Sequence, residues 1–166
     1  MPINRGKARS GPKPKLADPY LTRKAYSEPT ICPVCGLVYH NKRWTKDDHI
    51  LNAVKAVAQK HKCPSCRKIE DHFAMGAVII SSDSDFIKKH KSEIKNLIRN
   101  EEKREFLRNP LDRIMSLKEK GNEFTVQTTS ENLAIAIGKA LHRAYKGEVK
   151  FSFSRENKQA RVYWKR

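Results

Sequence analysis

Two C-x-x-C pairs constrain this chain more than any other feature. Cys32-Pro33-Val34-Cys35-Gly36 comes first and, after residues 37–62, Cys63-Pro64-Ser65-Cys66 follows; together they hold all four cysteines. In C-x-x-C a tight turn returns the second thiolate to the first. Two facing pairs then supply four soft sulfurs, the tetrahedral set that zinc takes at about 2.3 Å per bond. Pro33 presets the first turn, and Gly36 permits a close backbone approach after the second ligand. The second pair repeats the first, with Arg67 where the glycine stood. The expectation is one structural Zn²⁺ on Cys32, Cys35, Cys63 and Cys66, with no open coordination position and so no catalytic role. Four cysteines also suffice for an iron–sulfur cluster. A thioredoxin-like redox pair is the plainer alternative, against which the second motif argues.

The interval between the pairs exceeds that of an ordinary zinc ribbon, and TKDDHILNAVKAVAQKHK (45–62) accounts for it. Ile50, Leu51, Val54, Val57 and Ala58 fall on one helical stripe. Thr45 with Asp48 makes a variant capping box, so a helix is predicted over 45–62.

Residues 1–17 carry Arg5, Lys7, Arg9, Lys13 and Lys15 with no acid and with several Gly and Pro. They read as a disordered basic arm, either an interaction tail or a solubilising one. Residues 18–75 form the cysteine-bearing zinc-ribbon domain, and 76–166 a separate α+β domain. There GAVIIS (76–81) is a β-branched run, followed by a helix from about Ser84 to Leu107 that Asn109-Pro110 stops. DRIMSLKEK and EFTVQTT flank Gly121-Asn122 as a hairpin. Thr128 and Glu131 make a capping box for a second helix ending at Gly147. EVKFSFS (148–154) and ARVYWKR (160–166) alternate as strands, with Val149, Phe151, Phe153, Val162 and Trp164 facing the helices. The order β-α-β-β-α-β-β is close to a ferredoxin-like unit with an added strand.

Charge narrows the function. Thirty-five Lys and Arg against eighteen Asp and Glu give +17, a self-repulsion that an anionic partner relieves. Nucleic acid fits best, because binding releases condensed counterions. AMGAVII is too short to span a bilayer, no signal-peptide pattern opens the chain, and paired thiols fit a reducing compartment. A cytoplasmic protein without membrane contact is expected. His40, Lys42 and Arg43 follow the first cysteine pair, and Lys62, Arg67 and Lys68 flank the second, where they also offset thiolate charge. Joined by the metal, and aided by the arm, they form a cationic tip suited to phosphates. Tyr39 and Trp44 either stack on bases or pack in the core; for Trp44 the core is preferred.

Catalytic patterns are missing. Asp83 and Asp85 read as helix caps, Glu101 and Glu102 as part of a charged helical face, and Asp112 as isolated. There is no Walker-type glycine loop, no G-x-S-x-G and no H-E-x-x-H, so neither enzyme activity nor a small-molecule substrate is expected.

PTICPVCGLVYHNKRW and CPSCRKIEDHFAMGAVIIS resemble a group of small bacterial zinc-ribbon proteins. Those are similar in turn to the amino-terminal part of the nonsense-mediated-decay protein three family. ENLAIAIGKALHRAYKGEVKFSFSRENKQARVYWKR resembles the segment after the zinc region in the bacterial group. The larger family binds the large ribosomal subunit, so the resemblance implies ribosomal RNA as the partner and carries the metal role to the four cysteines. This chain has one cysteine quartet where that family has two. A transcription-associated zinc ribbon or a protein-docking module is the alternative, though no helix-turn-helix pattern supports the former.

Overall fold

A computed structural model describes residues 18–22, 24–154, 156 and 158–166. The described chain is α+β with two mixed sheets. The first half holds strands β1 (Thr30–Ile31), β2 (Val38–His40) and β3 (Arg43–Thr45), helix α1 (Asp48–Val54), strand β4 (Gln59–Lys60) and helix α2 (Pro64–Glu70). The second holds β5 (Gly76–Ser81), α3 (Phe86–Lys89), α4 (Lys91–Arg108), β6 (Ile114–Lys120), β7 (Glu123–Thr128), α5 (Glu131–Tyr145), β8 (Glu148–Phe153) and β9 (Ala160–Lys165).

The predicted helix over 45–62 is largely replaced. Thr45 closes a hairpin opposite Val38 instead of capping. Asp47 is the N-cap, its carboxylate accepting from the His49 and Ile50 amides, and the helix stops at Val54. Gln59 and Lys60 then pair with β1 in parallel, completing the order β3-β2-β1-β4. The apolar stripe did not mark a core face: no α1 residue is buried, and Val57 is 75% exposed.

The second sheet runs β6-β7-β5-β9-β8, with β5 parallel to β9 and the other neighbours antiparallel. The expected element order is present. A ferredoxin-like sheet would seat the strand after the second helix beside the first strand; here β9 takes that place and β8 lies outside it. Alternation buries Val78, Ile80, Phe124, Val126, Val162 and Trp164 against Ile94 and Ile98 of α4 and Leu133, Ile137 and Leu141 of α5. Gly138 lets α5 close on the sheet, because a Cβ there would collide with the Val162 side chain. The expected core face fails only at its edge, where Phe151 and Phe153 remain exposed. On the other face the pairings align Lys118, Thr125, Ile79, Tyr163 and Lys150 across all five strands.

Two caps differ from the sequence reading. Ser130 caps α5, its hydroxyl accepting from the Leu133 amide, while Thr128 ends β7 and donates to the Ser130 carbonyl. Asp85 stands at the start of α3 without a side-chain capping bond, and Asp83 pairs with Lys165 at 2.9 Å. The single helix expected from Ser84 breaks at His90 into α3 and α4.

The halves meet through specific contacts. Ser65 Oγ donates to the Leu111 carbonyl, Gln159 Nε2 reaches the Ala74 carbonyl at 3.1 Å, and Leu111 packs on the cysteine cluster.

Candidate metal centre

The first cysteine pair lies on a turn between β1 and β2. Gly36 N–H donates to the Cys32 carbonyl at 3.0 Å and Cys32 N–H to the Leu37 carbonyl at 2.8 Å. Gly36 adopts φ +75°, and among the described residues no atom beyond its own chain neighbours lies within 4 Å of where its Cβ would be. The glycine is therefore required by its left-handed backbone, not by the close approach inferred from sequence.

The second pair does not repeat that turn. Cys63 is the N-cap of α2, Pro64 occupies its first turn, and Cys66 N–H donates to Cys63 Sγ at 3.4 Å. Proline suits that position because its missing N–H would have no helical partner. A knuckle and a helix start thus converge, where two matching knuckles were expected.

The four cysteines are free of disulfides, and their sulfurs all lie within 4.8 Å of one another. Cys35 Sγ and Cys63 Sγ are 3.7 Å apart. A tetrahedron of sulfurs around zinc has edges of about 3.8 Å, so the donor set fits one metal site. Cys32, Cys63 and Cys66 are buried with Leu37, Tyr39 and Trp44, and Tyr26, Cys35 and Leu111 pack around them. Trp44 is a core residue, as preferred from sequence. Its ring lies 5.4 Å from Tyr39 and 5.2 Å from Tyr26.

The Cys63 thiol donates to Cys35 and so holds the Cys35 thiol well below its ordinary range; the Leu37 amide and the Arg113 guanidinium act in the same sense, against burial. Donating to Cys35, and burial, push Cys63 up. Burial above all pushes Cys66 up to about 11. A bound divalent ion displaces these protons, since thiolate is the ligand.

Arg113 is the residue that sequence reasoning missed. It stands between α4 and β6, and its guanidinium lies 3.2 Å from Cys35 Sγ, 3.5 Å from Cys66 Sγ and 3.8 Å from Cys63 Sγ. Its Nε donates to the Pro110 carbonyl at 3.0 Å, and its backbone N–H to Thr129 Oγ1 at 2.9 Å. A divalent ion on four thiolates carries a net −2, which this cation halves. No local motif marks an arginine so distant in sequence as a partner of the cysteines.

The cations expected to offset the sulfurs have other partners. Lys62 pairs with Glu70 at 2.6 Å. The Arg67 guanidinium donates to the Tyr20 carbonyl at 2.6 Å and the Tyr26 hydroxyl at 3.2 Å. Lys68 is 4% exposed, paired with Asp18 and donating to the Thr129 carbonyl at 3.0 Å. An ammonium so enclosed is withdrawn from the surface where a phosphate contact was expected. His40 is half-buried on β2, while Lys42 and Arg43 are exposed at the hairpin tip. There Glu28 accepts from the Asn41 and Lys42 amides at 3.1 and 2.7 Å, bracing the turn. Arg5, Lys7, Arg9, Lys13 and Lys15, with the rest of the predicted arm, lie outside the described residues.

The acids are placed structurally. Glu101 is buried, with Arg104 at 3.2 Å, and Glu102 accepts from the Ile114 amide at 2.7 Å. Both are more enclosed than a charged helical face implies. Asp112 is likewise 3% exposed, and burial pushes its carboxyl up to about 6. No helix among the described residues is long and apolar enough to cross a membrane. Comparison with known proteins finds no matching family, curated protein or solved structure.

Proposed function

We propose that this chain is a non-enzymatic, zinc-stabilised RNA-binding protein of the cytoplasm that associates with ribosomal RNA, on the large subunit. The observation that carries the reading is the cationic hairpin braced beside the sulfur cluster. Lys42 and Arg43 project from β2–β3, and neither has an ion-pair partner among the described residues. The formal charge of +17 supplies the long-range attraction. The ribosomal destination is supported by the resemblance of the cysteine-bearing segment to the decay-factor family. Zinc is favoured by four soft donors with tetrahedral spacing and no open position.

The test is cosedimentation of the zinc-loaded chain with ribosomal particles, repeated across salt concentrations. Four phosphate contacts on unpaired RNA would give a log–log slope of about −3. Chelating the metal is expected to abolish association. Absence from every ribosomal fraction at moderate salt overturns the reading. Retention that survives nuclease treatment assigns the surface to protein docking instead.

A further inference from the structure

A cleft of about 640 Å³ opens beside the metal centre, between the β2–β3 hairpin, the segment around Tyr26 and the end of α4. That volume lies within the range of small-ligand sites, roughly 300–1,000 Å³. Its wall is aromatic: Tyr26, Tyr39 and Trp44 all line it. Tyr39 and Trp44 are almost fully buried, whereas Tyr26 is only half-buried. Lys24, Lys42, Arg43 and Arg108 also line it, and none of its lining residues is a carboxylate. A concave site with an aromatic wall and four cations selects a planar ring joined to an anion.

We infer that this cleft takes one unpaired nucleotide of the bound RNA. Its base lies against the aromatic wall, and its flanking phosphates meet Lys42 and Arg43 on one side and Arg108 on the other. The inference rests on the RNA-binding reading above and adds where the RNA is gripped and by which element of it. Duplex RNA offers phosphates but keeps its base faces stacked, so only a looped or bulged residue presents both features. A free nucleotide shares this chemistry. An RNA strand differs in bringing phosphates on both sides of the base, which suits cations contributed from two elements. Arg108 is 72% exposed by side chain and, among the described residues, paired with Glu105 at 3.5 Å, so it is available to a phosphate.

The experiment uses zinc-loaded full chain with purified ribosomal RNA. Ultraviolet zero-length crosslinking is followed by mapping of the joined peptide and nucleotide. The expected crosslink falls on Tyr26, Tyr39 or Trp44 and on a nucleotide unpaired in the RNA. Tyr26→Ala is expected to weaken binding about tenfold. Arg108→Ala, at a side chain 72% exposed, is expected to flatten the salt slope by about 0.7. Crosslinks at Tyr163 on the open sheet face, with none in the cleft, would overturn the inference and leave the RNA reading standing. So would an unchanged slope in Arg108→Ala. Failure to bind the RNA at all removes both. If a nucleoside 5′-monophosphate alone then crosslinks to Tyr26, the cleft belongs to a free nucleotide and the inference is overturned in that form.

Discussion

The guanidinium of Arg113 joins the metal centre to the second sheet. Its side chain reaches three sulfurs while its backbone amide is fixed by Thr129 at the end of β7. Partners of this kind stabilise ligand charge and orientation, and losing them typically lowers metal affinity about 10- to 100-fold. Arg113→Ala is therefore expected to weaken zinc binding by that factor in competition with a chromophoric chelator. Arg113→Lys keeps the charge but lacks the planar fork, and should fall between the two. Equal affinity in all three proteins would show that the guanidinium does not support the sulfurs. Lys68 teaches a related lesson. Its neighbours Arg67 and Cys66 suggested a surface cation, yet depth and the Asp18 carboxylate govern its chemistry. Adjacent letters report charge, whereas burial depends on residues 50 positions away.

At the scale of elements, local chemistry was read well where it acts alone. The strands of the second sheet were legible because alternation marks a sheet covered on one face, and β5 matches its predicted limits. The first half was less legible. Short strands of two or three residues carry too little alternation to compete with a helical stripe, so β4 and Thr45, the last residue of β3, were absorbed into one predicted helix. The cap of α5 shows the same limit at finer grain. T-x-x-E placed it on Thr128, but pairing with Gly76 and Ile114 keeps Thr128 in the sheet, and Ser130 takes the cap. Ser130→Ala is expected to cost about 1 kcal/mol, a fall of roughly 2–4 °C in Tm for a chain of this size. An unchanged melting curve would remove Ser130 from that role.

Across the whole molecule two cores of unequal kind sit side by side. Among the described residues the second-sheet core has thirteen buried side chains, including Phe124 and Trp164, with Ile87 of α3 joining those of α4 and α5. Among the described residues the cluster around the cysteines buries Leu37, Tyr39 and Trp44 besides the cysteines themselves. So small a core is expected to depend on an ion bound by the four cysteines, as structural zinc sites do. Chelation is expected to remove amide hydrogen-exchange protection from β1–β3 and the start of α2. Protection in β5, β7 and β9 should persist. Simultaneous loss across both sheets would mean that the contacts of Ser65, Arg113 and Lys68 bind the halves into one cooperative unit.

The paired cysteines, the alternating strands and the excess of positive charge were all legible in the linear chain. Each is a property of residue type and short spacing, which the chain carries whether folded or not. Contacts between distant segments start a helix at the second cysteine pair and set Arg113 over the sulfurs. They also bury Lys68 and set a cleft with an aromatic wall and four cations beside the cysteine cluster. Those outcomes depend on which distant surfaces meet, and the meeting is settled by packing and charge pairing over the whole fold.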